Sequence, residues 1–347
     1  MLINICRTTL SIALLISPTG LACAQESATS PATATMKAVC IRAPGGVEVL
    51  KYEDAPRPEP KAEEVLIRVM AAGVNPVDAK IREGAFGKGA LEKPQILGFD
   101  VSGVVEKTGA KITNFKKGDP VYAYLNLRRG GGYAEYTVAT QSEATAKPKS
   151  ITHEQAAAVP LAALTAWQAL VETGKLSEGQ TVLVQGGSGG VGSFAIQIAK
   201  ARGARVIATA STANQDFLKQ LGVDQPIDYT QTKFEDVVKD VDLVLDAVGP
   251  ETLARSYGVV KKGGMIVSIL GPPDETELRK REIQGKSILV RPNADQLAEV
   301  TKLIEEKKIK PHVSKVFSLA EAAKAHEAIE TRHTRGKIVL KVADAPK

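Results

Sequence analysis

Thr181-Val182-Leu183-Val184-Gln185 runs without a break into Gly186-Gly187-Ser188-Gly189-Gly190-Val191-Gly192, and this stretch decides the fold. Its first half is a short apolar run, the form of a strand buried on both faces of a parallel sheet. Gly187, Gly189 and Gly192 then meet the G-x-G-x-x-G spacing in the strand–turn–helix setting which that spacing requires. A tight turn, close approach of backbone to a pyrophosphate and near packing of helix on strand each need a residue without Cβ. N–H groups at the helix start then face the phosphates. Gly187, Ser188, Gly189, Gly190, Val191 and Gly192 are therefore expected to hold a dinucleotide. No Lys-Ser/Thr pair follows the last glycine, which argues against a nucleotide-triphosphate loop.

Downstream, strands and helices alternate. Arg205–Thr209, Leu243–Asp246 and Met265–Ile269 read as buried strands, and Ser287–Val290 as the last one. Gln215–Leu221 and the region around Glu251–Val260 read as helices, as does Val191–Arg202 directly after the turn. Repeated βα units of this kind give a doubly wound parallel sheet with helices on both faces. The end of the second strand separates the two nicotinamide cofactors. An NAD site places Asp or Glu there to hold the ribose 2′-hydroxyl. This chain reads Ala208-Thr209-Ala210-Ser211-Thr212-Ala213-Asn214, with no acid before Asp216. The hydroxyls of Ser211 and Thr212 and the amide of Asn214 can donate to a 2′-phosphate, so NADP(H) is favoured. Ser211 and Thr212 equally suit capping of the next helix, and one residue can do both.

Upstream, from Met36 to about Ala146, short apolar runs are broken by Gly, Pro and Asn, as in a strand-rich domain of irregular barrel type. Near Ser150 the period changes. Thr152 with Gln155 makes a capping box, and an Ala-rich helix runs toward Leu161 and restarts through Leu164–Val171. After the parallel sheet, Leu297–Lys307 is an amphipathic helix, Ser318 and Glu321 form a second capping box, and Lys337–Val342 is a closing strand.

The whole chain has 347 residues, 44% hydrophobic and 24% charged, which suits about two globular domains. Its 45 Lys+Arg against 39 Asp+Glu give a net charge of +6, with no basic run of five or more. Charge patterning therefore supports neither nucleic-acid nor membrane-surface binding. Three Cys and four His are scattered without metal-ligand spacing, so His153, His312, His326 and His333 are read as structural or surface residues.

Residues 1–24 have the form of a secretory signal: Arg7, the apolar Leu10–Ile16, and Ala22-Cys23-Ala24 as a small-x-small cleavage pattern. The apolar run is too short to span a bilayer. Export, to the periplasm, is expected, with a cytoplasmic location as the alternative. Cleavage would leave Cys40 alone, unable to form an internal disulfide. Gln25–Thr35 reads as a flexible linker.

Several motifs occur in order: Ala71-Ala72-Gly73-Val74-Asn75-Pro76-Val77-Asp78, Leu97-Gly98-Phe99-Asp100-Val101-Ser102-Gly103, Lys117-Gly118-Asp119-Pro120-Val121, Gly132-Tyr133-Ala134-Glu135-Tyr136, Leu164-Thr165-Ala166, the glycine turn, Asp246-Ala247-Val248-Gly249 and Arg335-Gly336-Lys337. With them the chain resembles the medium-chain dehydrogenase/reductase superfamily, in its zinc-free quinone-oxidoreductase (zeta-crystallin-like) branch, over Met36–Val342. The resemblance implies an α/β architecture: a GroES-like irregular β-barrel catalytic domain (36–158), a Rossmann NADP-binding domain (159–293) and a C-terminal return to the first domain (294–347). Zinc members carry Cys and Gly-His-Glu where this chain has Gly73–Pro76 and Gly98-Phe99-Asp100. Asn and Phe cannot replace thiolate and imidazole, so no metal is expected.

The resemblance makes Asn75 and Asp78 a polar pair near the nicotinamide, in positioning roles; read locally, the same residues would start a turn and cap a helix. Some relatives carry a Tyr where Arg82–Phe86 has none, which leaves Tyr133 or Tyr124 as substitute. It further implies cofactor contacts at Thr165, Tyr229, Val248 and Lys337, and a homodimer through the edge strand. The leading reading is an NADPH-dependent reductase of quinones or α,β-unsaturated carbonyls. An enoyl-thioester reductase and a non-catalytic NADP(H)-binding redox sensor or storage protein are the alternatives.

Overall fold

The structure is a computed structural model that describes residues 34–85 and 93–344. The expected leader (1–24), all of the linker except Ala34 and Thr35, and Phe86 lie outside the described residues. Thr35 already belongs to a strand, Thr35–Ile41, because it pairs with Pro56.

Thr35–Ile41 is the centre of a three-stranded sheet, between Lys51–Pro56 and Gln95–Ile96. A larger sheet runs Val313–Ser318, Lys337–Lys341, Glu64–Val74, Asp100–Thr108, Pro120–Tyr124, Ala144–Ala146. Tyr136–Thr140 pairs with the first half of Glu64–Val74, Lys337–Lys341 with the second. All these pairings are antiparallel except Val313–Ser318 with Lys337–Lys341. An isolated bridge links Ala38 of the first sheet to Ala134, two residues before Tyr136–Thr140. The expected return of the C-terminus is thus a ladder: Ile338 stands opposite Val74 and Leu340 opposite Ala72.

The second body is a six-stranded parallel sheet: Gln225–Asp228, Arg205–Ala210, Thr181–Gln185, Val241–Asp246, Val260–Ser268, Gln284–Ser287. In sequence order this is 3-2-1-4-5-6, the doubly wound arrangement. Val182, Leu183 and Val184 are fully buried between its neighbours, as their apolar run requires.

Two strands differ from expectation. Gln225–Asp228 carries Pro226, which reads against a strand; it is tolerated at the sheet edge, where one side needs no donor. The last strand lies at Gln284–Ser287 instead of Ser287–Val290. Its register pairs Met265 with Gln284 and Ser268 with Ser287, and only one further backbone bond follows, from Ile288 N–H to Ser268. An edge strand needs no apolar run, so the apolar Ile288–Val290 was the wrong guide.

The capping box at Thr152 is present, with Gln155 N–H on the Thr152 hydroxyl at 3.2 Å and Thr152 N–H on the Gln155 amide at 3.1 Å. The next helix, Pro160–Trp167, widens into a π-helical turn over Gln168–Thr173. No helix among the described residues is long and apolar enough to cross a membrane.

Candidate functional site

The glycine turn leaves the C-terminal end of the first parallel strand, where the sheet order reverses; this is where doubly wound sheets bind ligands. Helix Gly190–Ala201 follows, and Gly190, Val191 and Gly192 are its first three positions, whose N–H groups have no carbonyl to meet inside the helix. A Cβ on Gly192 would lie 2.2 Å from the Gly186 carbonyl oxygen, so the third glycine is required by the packing of turn on helix. At Gly189 a Cβ would meet only that oxygen, at 3.4 Å; this glycine leaves space above the turn. The residues present therefore fit a pyrophosphate.

Beside the turn stands a buried polar cluster. Asn75 starts helix Pro76–Arg82, where Pro76 suits the first helical position and Asp78 returns its carboxylate to the Asn75 N–H at 2.6 Å. The Asn75 side chain is not spent on capping. Its Nδ2 donates to Asp100 Oδ2 at 2.9 Å, and its Oδ1 accepts from Lys337 Nζ. Lys337 also donates to the Val74 carbonyl at 3.2 Å and faces Asp100 at 3.6 Å. The second Asp100 oxygen takes Leu161 N–H at 2.7 Å. Tyr133 donates its hydroxyl to Asp78 Oδ2 at 3.0 Å. Gly98 permits that placement: a Cβ there would sit 2.3 Å from the Tyr133 ring, and its φ of +87° is in the region that favours glycine.

Lys337 ties cluster and turn together. A Cβ on Gly190 would come within 3.0 Å of the Lys337 Cδ, so the lysine stem passes over the turn. Gly336 N–H donates to the Ser188 carbonyl at 2.9 Å.

Burial sets the electrostatics. Asp78, Asp100, Tyr133 and Lys337 are all at most 3% exposed. Burial pushes the Asp78 carboxyl up to about 7, against the pull of its Asn75 and Tyr133 hydrogen bonds. Asp100 is also raised by burial, with the Lys337 ammonium opposing. Lys337 is lowered by burial and supported by the two carboxylates. Tyr133 is held well above its ordinary value by burial and by Asp78. Its hydroxyl proton is committed to Asp78, which makes Tyr133 a partner of the carboxylate and a poor donor to a ligand. Among the described residues Asp78 Oδ1 has no hydrogen-bond partner.

The histidines read as structural include one that touches this cluster. His326 is fully buried, packs edge-on against Tyr133 at 5.8 Å between centroids, and bonds through Nδ1 with Arg82 at 3.2 Å. Arg82 itself binds Glu330 at 2.6 Å and the Gly45 carbonyl at 3.0 Å, clasping the Asp78 helix to helix Ala322–Glu330.

The remaining expected contacts spread along the edge of the parallel sheet. Thr165 is buried with its hydroxyl on the Leu161 carbonyl at 2.7 Å. Val248 is exposed beside Gly186, and Tyr229 is exposed at the end of the third parallel strand. Ser211 accepts from Asn214 Nδ2 at 3.1 Å, whereas the Thr212 hydroxyl donates to Asp228 at 2.6 Å. Of these two hydroxyls, Ser211 keeps its proton available.

Two residues were missed. Asp100 lay in a quoted motif, and a carboxylate inside an apolar strand was the signal that a buried cation would face it. Arg335 lay two residues before Lys337 in another, and its guanidinium meets Asn214 and Ala213. A surface groove lined by Met36, Pro58, Arg128 and Tyr136 shares no residue with the site.

A parallel dinucleotide-type sheet whose turn abuts such a cluster on an antiparallel domain defines a two-domain dehydrogenase or reductase. Residues 61–149 match the family described as alcohol dehydrogenase GroES-like domain, and residues 221–340 that described as zinc-binding dehydrogenase. The chain is 40% identical to the chloroplastic NADPH-dependent alkenal/one oxidoreductase of Arabidopsis thaliana, over 85% of this chain and 77% of that protein. It is 34% identical to the quinone oxidoreductase of Sus scrofa, over 88% and 97%. The solved quinone oxidoreductase from Coxiella burnetii superposes with a TM-score of 0.82 at 36% identity, covering 89% of this chain and all of that one. The chain belongs to the medium-chain dehydrogenase/reductase superfamily, among its quinone and alkenal/one oxidoreductases.

The zinc in one family description does not suit these residues. A metal at Asn75 would meet an amide donor and an ammonium, and the residue just before the neighbouring strand Asp100–Thr108 is Phe99. Among the described residues no group of three His, Cys, Asp or Glu is placed to hold a metal ion.

Proposed function

We propose that the chain is a zinc-independent, NADPH-dependent reductase of quinones or α,β-unsaturated carbonyls. The observation that carries the reading is the Lys337 bridge, which sets a buried Asn75–Asp100–Asp78–Tyr133 cluster directly against a glycine turn fitted to a pyrophosphate. Kinship with enzymes named for NADPH, for alkenals and for quinones supports it.

When bound, the reduced cofactor supplies hydride to the conjugated acceptor, and a proton from the medium completes the reduction. The glycine turn and Thr165, Tyr229, Val248 and Ser211 orient the cofactor. Asn75, Asp78 and Tyr133 act as positioning residues: they hold Lys337 and the Asp78 helix rigid, so the site is organised before the acceptor enters. The Lys337 ammonium adds a fixed positive charge near the junction, of the sign that favours a developing enolate or hydroquinone anion. In this reading residues 36–158 and 294–347 form the catalytic domain, and residues 159–293 the cofactor domain. Leu289, 75% exposed beside the edge strand, suits the seam of a homodimer.

Protein beginning at Gln25 should oxidise NADPH in the presence of enones or quinones and leave saturated alcohols untouched. Tight NADPH binding with no turnover on any conjugated acceptor would replace this reading by the non-catalytic one. Residues 1–24 are read as an export leader, so N-terminal sequencing of protein from the native host should start at Gln25; a start at Met36 in the cytosol reverses that assignment.

A further inference from the structure

We propose that Arg335, carried by the C-terminal segment that returns to the first domain, is the cation that reads the cofactor's 2′-phosphate. This rests on the NADP(H) reading and names the residue behind it.

Hydroxyls alone are a weak basis for phosphate selectivity, because water competes with them on equal terms. The end of the second parallel strand also carries an opposing charge. Asp228 stands in register with Ala210 and accepts from Thr212, from Thr230 N–H and from the Thr230 hydroxyl, all within 3.0 Å. Those bonds keep its carboxyl below the usual range, hence ionised. A dianionic phosphate beside it needs a cation.

Arg335 is in contact with that segment. Its Nε donates to Asn214 Oδ1 at 2.7 Å and its Nη2 to the Ala213 carbonyl at 2.8 Å. The guanidinium lies 5.5 Å from the centre of the Phe217 ring, a face that holds it in place. No carboxylate pairs with it among the described residues, whereas nearby Lys200 and Lys219 are paired with Asp224 and Asp216. Arginine has five N–H donors in a planar fork suited to phosphate. Two are used, on neutral acceptors.

The backbone around it is pinned. Gly336 has φ +61°, a Cβ there would lie 2.4 Å from the His312 carbonyl oxygen, and its N–H holds the Ser188 carbonyl. Arg335 is therefore delivered at a fixed offset from the glycine turn. The same three-residue segment places Lys337 in the buried cluster, so one turn addresses both ends of the cofactor.

The test uses two fragments, 2′,5′-ADP and 5′-AMP, titrated by calorimetry against wild type, Arg335→Gln and Arg335→Lys. A charge-assisted hydrogen bond corresponds to about tenfold to a hundredfold in affinity. Arg335→Gln, which keeps an amide donor for Asn214, should lose that much for 2′,5′-ADP and leave 5′-AMP unchanged. Arg335→Lys should recover part of it, and the salt dependence of 2′,5′-ADP binding should flatten in Arg335→Gln. Equal weakening of both fragments, or of neither, overturns the assignment to Arg335 while the cofactor reading stands. A wild type that binds the two fragments alike overturns the cofactor reading and the assignment with it.

Discussion

Replacing Lys337 by methionine is expected to cost about 3–5 kcal/mol of stability above neutral pH, the scale for removing one partner of a buried ion pair. The lysine stem fits methionine, so the loss is electrostatic. Asp100 would keep its Asn75 and Leu161 bonds but no cation, at 0% exposure. Asp78 would lose the support of the same ammonium. Both carboxyls already lie above their ordinary values, so the folded state binds more protons than the unfolded state. Each contribution therefore weakens stability as pH rises from about 4 through the raised folded value. Without Lys337 that window extends upward. Chemical denaturation at pH 5.5 and pH 8 should show a small deficit at the lower pH and the full deficit at the higher. The double variant Asp100→Asn with Lys337→Met removes both charges and should recover most of the loss. A single variant as stable as wild type at pH 8, or a deficit that ignores pH, would remove the buried pair from the account.

Gly192→Ala should produce the largest fall in cofactor affinity. The new Cβ would meet backbone on two sides, the Gly186 oxygen at 2.2 Å and the Gly187 Cα at 2.8 Å, and neither can rotate away. Strain of this kind costs about 1–3 kcal/mol. It is relieved by moving the helix start off the turn, which also moves the N–H groups of Gly190, Val191 and Gly192. Losing two charge-assisted hydrogen bonds, at about 1.5–3 kcal/mol each, weakens NADPH by at least about a hundredfold. Gly189→Ala is the contrast. Its Cβ has room, and its φ of −75° suits any residue, so the melting temperature should stay within about two degrees of wild type, the scale of a surface change. Affinity should still fall, because the methyl group stands where the pyrophosphate approaches. Thermal melts with fluorescence titration of NADPH separate the two glycines. Equal behaviour of the two variants would mean that the turn does not divide its roles between packing and ligand approach.

The parts of the site that were legible are the local ones. Glycine spacing, the strand before it and the helix after it lie within a dozen residues, and backbone sterics alone relate them. Asn75 and Asp78 were visible as a turn and cap, because capping is an interaction across three residues. The Asn75 amide, however, left the cap to join Asp100 and Lys337, and a partner 262 residues away has no local trace. Thr212 was open as a phosphate donor until the third strand placed Asp228 beside it. That strand itself was obscured by Pro226, which only an edge position tolerates.

By itself the sequence determined the doubly wound sheet, the dinucleotide turn and the absence of thiolate and imidazole at the family's metal positions, because each depends on residue type at short range. Tertiary structure alone decided which buried charges face each other. A buried carboxylate is tolerable only where a cation or donor meets it, and Asp100 and Asp78 meet Lys337 and Tyr133, which come from other parts of the chain. Lys337 and Arg335 are two residues apart in the chain, yet one enters the cluster and the other reaches the end of the second parallel strand. The reason is geometric: the closing strand pairs with Glu64–Val74 just after Gly336 has bonded to the glycine turn, so Lys337 is delivered to Asn75 while Arg335 is left at Asn214.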